Sequence, residues 1–246
     1  GIFQRSRGCS RTDAGVHAMG QVISVRSESD PADFMKRVNS RLPSDIVFKH
    51  CEMAPKQDFH PRYSCKSKVY RYSIYNSEVR PVLNRSRLWH IPQLLNVKDM
   101  QKAANFLLGT HDFTSFCKPL ARGESGSSSS SKSNNRSSSS KNNSSSSSSS
   151  SRGNSSINVR TIMSADFKIQ QDCYKHDAQT LMFEIEGNSF LYNMVRIIVG
   201  ALVQVGLGKL PPEKFKAILE AKDRSLAQAE ADSAPAQGLA LILVRY

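Results

Sequence analysis

The chain has 246 residues, with 34 Lys and Arg against 21 Asp and Glu and a formal net charge of +13. That length supports one large domain or two small ones around a sizeable core, and the charge points to a polyanionic partner, phosphate backbones first. Cys9, Cys51, Cys65, Cys117 and Cys173 are odd in number and lack C-x-x-C spacing, and the six histidines lack ligand spacing, which argues against a disulfide framework and a zinc site and for reduced thiols in a reducing intracellular compartment.

In chain order, Gly20 to Arg26 alternates as a strand does. Asp30-Pro31 opens a helix, with Asp30 as N-cap, Pro31 in the first turn, and Phe34, Val38 and Leu42 on one face. Ile46 to Met53 and Lys68 to Asn76 read as strands. Asn96 to Leu108 reads as a helix, with Val97, Met100, Ala104, Leu107 and Leu108 inward and Gly109 as its stop. From Ser125 to Ser151 the chain is mostly serine. Such a tract has no apolar area to offset chain entropy, so it reads as a disordered insertion in a surface loop. Val159 to Gln170 and Thr180 to Glu186 read as strands.

Phe190 to Leu207 is the longest apolar stretch, but Asn193, Arg196 and Gln204 interrupt it. It predicts a buried helix rather than a membrane span. A further helix covers Lys214 to Lys222 after Pro211-Pro212, and Leu239 to Tyr246 is a closing strand. Strands and helices mix without strict alternation or a Gly-rich phosphate loop, which predicts an α+β fold with an antiparallel sheet. No signal peptide is visible. The sequence opens at Gly1 without a methionine, so a targeting segment could lie upstream of it.

Ser10 to Gln21 (SRTDAGVHAMGQ) is the segment richest in chemistry. It places Arg11, Asp13 and His17 close together, with Gly15 and Gly20 as backbone breakers, just before a strand. A carboxylate on such a loop beside an arginine is held ionised and exposed, which suits a nucleophile. The residues alone equally allow a structural aspartate capping a turn. Arg196 sits among Val195, Ile197, Ile198 and Val199, and a buried arginine needs a carboxylate partner. Arg62, Lys66, Lys68 and Arg71 form a basic run fit for phosphate contacts or for a solvated strand face.

The stretch Arg11 to Ala18 (RTDAGVHA) resembles the catalytic motif of the tRNA pseudouridine synthase A (TruA) family. Further segments match the same family in order: Phe59-His60-Pro61-Arg62-Tyr63, Lys68-Val69-Tyr70-Arg71-Tyr72, Gly109 to Phe116, Phe190 to Gly200, Ala221-Lys222-Asp223-Arg224 and Gly238 to Tyr246. Pro61 stands where a small residue such as alanine is expected.

The resemblance implies a pseudouridine synthase fold, with two ferredoxin-like halves around an antiparallel sheet and a central RNA-binding cleft. Residues 1–124 would form the half with the catalytic loop, 125–156 the insertion, and 157–246 the half that completes the site. It also implies a strand and a helix ahead of the catalytic motif, for which nine residues leave no room.

The implied activity is isomerisation of uridine to pseudouridine in the anticodon stem-loop of tRNA, with Asp13 as nucleophile at C1′ or C6. Arg196 would pair with Asp13, and Tyr70 would lie against the uracil and help move the C5 proton. Arg11, His17, Arg62 and Arg71 would contact RNA. No metal or organic cofactor is implied. The expected partners are tRNA and a second copy of the chain in a homodimer, with no membrane. Two rivals are an RNA-binding homologue without catalysis and an aspartate-nucleophile glycosidase. Asp13, Tyr70 and Arg196 are all present, against the first; no second carboxylate lies near Asp13 in sequence, against the second.

Overall fold

The computed structural model describes residues 4–118, 157–171 and 178–246; the Ser-rich tract and Cys173 lie outside them. The described chain runs β1 (Gln4–Gly8), β2 (His17–Ala18), β3 (Ile23–Arg26), α1 (Pro31–Asn39), β4 (Ser67–Asn76), β5 (Trp89–Ile91), α2 (Val97–Asn105), β6 (Gly109–Asp112), β7 (Val159–Gln171), β8 (Gln179–Gly187), α3 (Met194–Gly206), α4 (Pro212–Ala221), α5 (Arg224–Glu230) and β9 (Leu239–Arg245). Single 3-10 turns fall at Arg85–Arg87, Thr114–Phe116 and Ala236–Gly238.

Period-two alternation builds the centre. Tyr70, Tyr72, Ile74 and Asn76 on β4 are buried on one face, while Val69, Arg71, Ser73 and Tyr75 face the other and stay partly exposed. Strand β4 is paired along both edges. Antiparallel β8 runs the length of one edge; antiparallel β9 and then parallel β5 share the other. The resulting sheet has seven strands in the order β2-β9-β4-β8-β7-β6, with β5 beside β4. The α+β class is as expected. The sheet is mixed, because the short pairs β2–β9 and β4–β5 are parallel. A separate two-stranded antiparallel sheet joins β1 to β3.

Helix α3 forms the centre of the core. All its residues are buried except Arg196 and Gln204, and each fully buried Leu or Ile contributes roughly 1.5–3 kcal/mol. It begins at Met194 rather than just after Phe190, because Asn193 adopts a left-handed conformation with φ 58°. Helices α2 and α4 pack against it. Helix α1 follows its expected N-terminus: the Asp30 side chain accepts from the Ala32 amide, with Pro31 in the first turn.

Other expectations need correction. Ile46 to Met53 is not a strand; Ile46, Val47 and Met53 are exposed, and the segment is tethered at Phe48, whose N–H and C=O both bond the Asn39 side chain. Alternating apolar residues without a neighbouring strand have no ladder to join. Leu108 is exposed, because α2 ends at Asn105 and the helical period no longer applies beyond it. Strands β1, β2, β5 and β6 and helix α5 were not expected from the pattern. All five are short, and β2 and β5 are fixed only by distant partners.

Candidate active site

The loop between β1 and β3 is pinned at both ends. At its start, the Gln21 side chain holds Ser10 by two hydrogen bonds, amide to Oε1 at 3.2 Å and Nε2 to carbonyl at 2.7 Å. The buried Lys68 Nζ donates to the Cys9 carbonyl at 3.1 Å. At its end, β2 pairs with β9, and the Gly20 amide donates to the Leu241 carbonyl. A Cβ at residue 20 would lie 2.3 Å from the Ile242 oxygen, so only glycine allows this approach. Between these anchors, a turn closes from the Val16 amide to the Asp13 carbonyl at 3.0 Å. Gly15 takes φ +80° there, against Ala236.

Asp13 sits on that turn with its side chain about a quarter exposed. Arg196, in the first turn of α3, reaches it: Nη1 lies 3.4 Å from Asp13 Oδ2. The guanidinium is held from two other sides. Its Nε donates to the Ala234 carbonyl at 2.7 Å and its Nη1 to Asn193 Oδ1 at 3.1 Å. The Ala234 amide returns a bond to the Arg196 carbonyl at 3.0 Å. Arg196 therefore has little freedom to move away from the carboxylate.

Tyr70 completes the group. Its ring is buried edge-on to Phe190, centroids 5.1 Å apart, and its hydroxyl donates to Ser10 Oγ at 3.4 Å. Burial pushes the Tyr70 phenol above its ordinary range; the Ser10 bond opposes this, and the nearby Asp13 carboxylate adds to it. Tyr72, on the same face, is a core residue. It is fully buried, donates to the Pro235 carbonyl at 2.7 Å and packs on Trp89.

The structure thus brings Asp13, Arg196 and Tyr70 together from three elements distant in sequence. His17 lies on the same loop and bonds outward, its Nε2 3.0 Å from the Ser86 carbonyl; because that oxygen only accepts, Nε2 carries the proton. Arg11 is exposed at the loop start.

Arg62 and Arg71 are not part of this group. Arg62 is exposed on a turn whose amides at residues 62 and 63 bond His60 Nδ1; Pro61 in that turn is buried, and its carbonyl accepts from the Tyr246 hydroxyl. Arg71 lies on the opposite face of β4 from Tyr70. Glu184 binds it at 2.6 Å and also pairs with Lys168, which holds the Glu184 carboxyl below its usual range once burial is overcome. Lys66 bonds the Tyr246 carbonyl.

Sequence reasoning did not single out Ser10, Gln21, Asn193 or Lys68 as supports of the site. Asn193 alone carried a signal, as a polar residue just before a buried helix. Among the described residues no group of three or more His, Cys, Asp or Glu could hold a metal ion, and no helix is long and apolar enough to cross a membrane.

The family model described as "tRNA pseudouridine synthase" matches residues 103–246. The tRNA pseudouridine synthase A of Ruminiclostridium cellulolyticum is 39% identical over 97% of this chain and 81% of its own. This chain belongs to the tRNA pseudouridine synthase family. The synthase A of Acetivibrio thermocellus is likewise 39% identical over the same shares, and that of Bacillus subtilis 38% identical over 96% of this chain and 79% of its own. The family-model match covers α3 and β9, hence Arg196 and the strand that pins the Asp13 loop, while the matches to the relatives extend over nearly the whole chain.

Proposed function

We propose that this chain isomerises uridine to pseudouridine in tRNA, with Asp13 as the nucleophile. The observation that carries this reading is the Asp13–Arg196 contact, made on a loop anchored at both ends within a chain of this family. A carboxylate that must attack has to be ionised and aimed; a guanidinium fixed by Ala234 and Asn193 does both.

The reaction breaks the bond from C1′ to N1 and forms a bond from C1′ to C5, while C5 gives up its proton and N1 takes one up. It balances without an oxidant or reductant. The target base must leave the RNA stack to reach Asp13. Attack at C1′ or at C6 would use the same carboxylate. Tyr70 presents an aromatic ring to the uracil, and its protonated hydroxyl, joined to Ser10 Oγ, can relay the C5 proton. Arg11 and His17 border the site and Arg62 lies exposed beyond it, so these three are proposed for RNA contact. Arg71, engaged by Glu184, is assigned to bracing the sheet.

The resemblance also supports the anticodon stem-loop as the target, a homodimer as the working form, and a division into halves at the Ser-rich tract. Asp13 and Tyr70 come from the first half and Arg196 from the second. The test is incubation with tRNA carrying tritium at uridine C5. Release of tritium to water, with pseudouridine recovered from the digested product, is expected. A chain that binds tRNA without releasing tritium would instead be a non-catalytic homologue.

A further inference from the structure

A concave site lies beside the loop that carries Asp13. The segment from Arg80 to His90, together with Gln237, lines an open cavity of about 410 Å³, to which Trp89, Leu88 and Pro81 contribute apolar surface and Arg80 and Arg85 contribute charge. Both arginines are exposed, and neither has an acidic partner among the described residues. Asn84 holds the turn between them in a left-handed conformation, φ 58°. Exposed cations over an aromatic wall suit a phosphorylated nucleotide: guanidinium forks take phosphate oxygens, and the wall takes a base or sugar face.

Two contacts join this cavity to the loop that carries Asp13. His17 Nε2 donates to the carbonyl of Ser86, between the two rim arginines' turn and Leu88. Gly15 packs against Ala236, the neighbour of Gln237. The cavity and the carboxylate therefore sit on either side of one rigid turn.

We propose that this cavity binds a nucleotide of the tRNA strand next to the target uridine, with Arg80 and Arg85 on its phosphate and Trp89 and Leu88 against its base or ribose. The proposal rests on the chain's action on tRNA and adds a place where the strand is held while the uridine is turned. Occupancy there would fix the register of the RNA, and through His17 it would steady the catalytic loop.

Trp89 is the chain's single tryptophan, so its emission reports on this cavity directly. The experiment titrates the full chain with tRNA and follows Trp89 fluorescence, then repeats the titration and the tritium assay with R80A/R85A. A control, K36A/K98A, removes two exposed cations elsewhere on the surface. Binding of tRNA is expected to change Trp89 emission. In R80A/R85A, KM should rise about tenfold, with kcat nearly unchanged, and the salt dependence of binding should weaken by roughly 1.5 in log–log slope. The control should stay near the parent.

Silent Trp89 emission, a parent-like KM and slope in R80A/R85A, or an equal loss in K36A/K98A would each overturn the proposal. If the parent releases no tritium while R80A/R85A still weakens tRNA binding and silences Trp89, the cavity stands and the isomerase reading falls. The two failures are thereby distinguishable.

Discussion

Gln21 and Ser10 form a closed pair: one side-chain amide satisfies both the N–H and the C=O of the residue that opens the Asp13 loop. Ser10 in turn accepts from the Tyr70 hydroxyl, so Gln21 sets the positions of both the Asp13 loop and the tyrosine. Gln21→Leu removes both bonds and leaves the Ser10 polar groups unpaired, at a cost of about 1–3 kcal/mol. The expected outcome is a fall in kcat of roughly tenfold or more with KM little changed, since misplacement by about 1 Å can cost a hundredfold. Gln21→Glu keeps the acceptor and loses the donor, and should fall between parent and Leu. Equal kcat in all three would show that the clamp does not position the loop.

Arg196 makes three side-chain contacts with three different residues. A lysine keeps the charge but cannot meet Ala234, Asn193 and Asp13 together. Arg196→Lys is expected to lower kcat by roughly a hundredfold and Arg196→Met by roughly a thousandfold, in line with losing a preorganised charge partner. The Arg196 side chain keeps about 18% of its surface exposed, so melting temperature should drop by only a few degrees. Retained activity in Arg196→Met would remove this residue from the site.

Tyr70→Phe keeps the ring against Phe190 and removes the hydroxyl. Burial holds the phenol above its ordinary range, so at neutral pH it is a proton donor to Ser10. Tritium release should slow by about 10²-fold or more, the usual effect of a lost acid–base group, while tRNA affinity stays within a few-fold. A variant that releases tritium at the parent rate would reduce Tyr70 to a packing role.

Alkaline stability follows from Cys65. Burial, reinforced by neighbouring Cys9, pushes its thiol from 9.0 to about 11. The folded state holds the proton more tightly than the unfolded chain does, so stability is full below pH 9, falls as pH rises, and levels off past about 11. Tyr72, also raised by burial, adds to the loss at higher pH. Denaturant titrations of the parent and Cys65→Ala between pH 8 and 11, a range chosen roughly to bracket these values, should show a shallower decline in the variant. Parallel curves would contradict the assignment.

The sequence was most legible where one residue acts through a local rule. Asp30-Pro31 starts α1 because capping and a fixed φ need no distant partner. Tyr70 and Tyr72 share a face because side chains alternate. Asp13 stood out through its neighbours on the loop. What could not be read depends on partners far along the chain. Ile46 to Met53 has strand-like residues but no strand beside it; β2 exists only because β9 arrives from the other end. Arg71 resembles a phosphate ligand until Glu184 is placed across the ladder from it. Pattern also could not separate Lys68, buried against the Cys9 carbonyl, from the solvated cations around it.

The proposed attack of Asp13 on the uridine depends on its ionised carboxylate. Asp13→Asn keeps the shape of the side chain and its reach to Arg196 but is a poor nucleophile. Single-turnover release of tritium from C5-labelled tRNA, measured beside tRNA affinity, separates loss of attack from loss of binding. Release is expected below about 1% of the parent rate, with affinity within a few-fold, because phosphate contacts supply most of the binding. Pseudouridine formed by Asp13→Asn at a rate comparable to the parent would show that Asp13 is not the nucleophile.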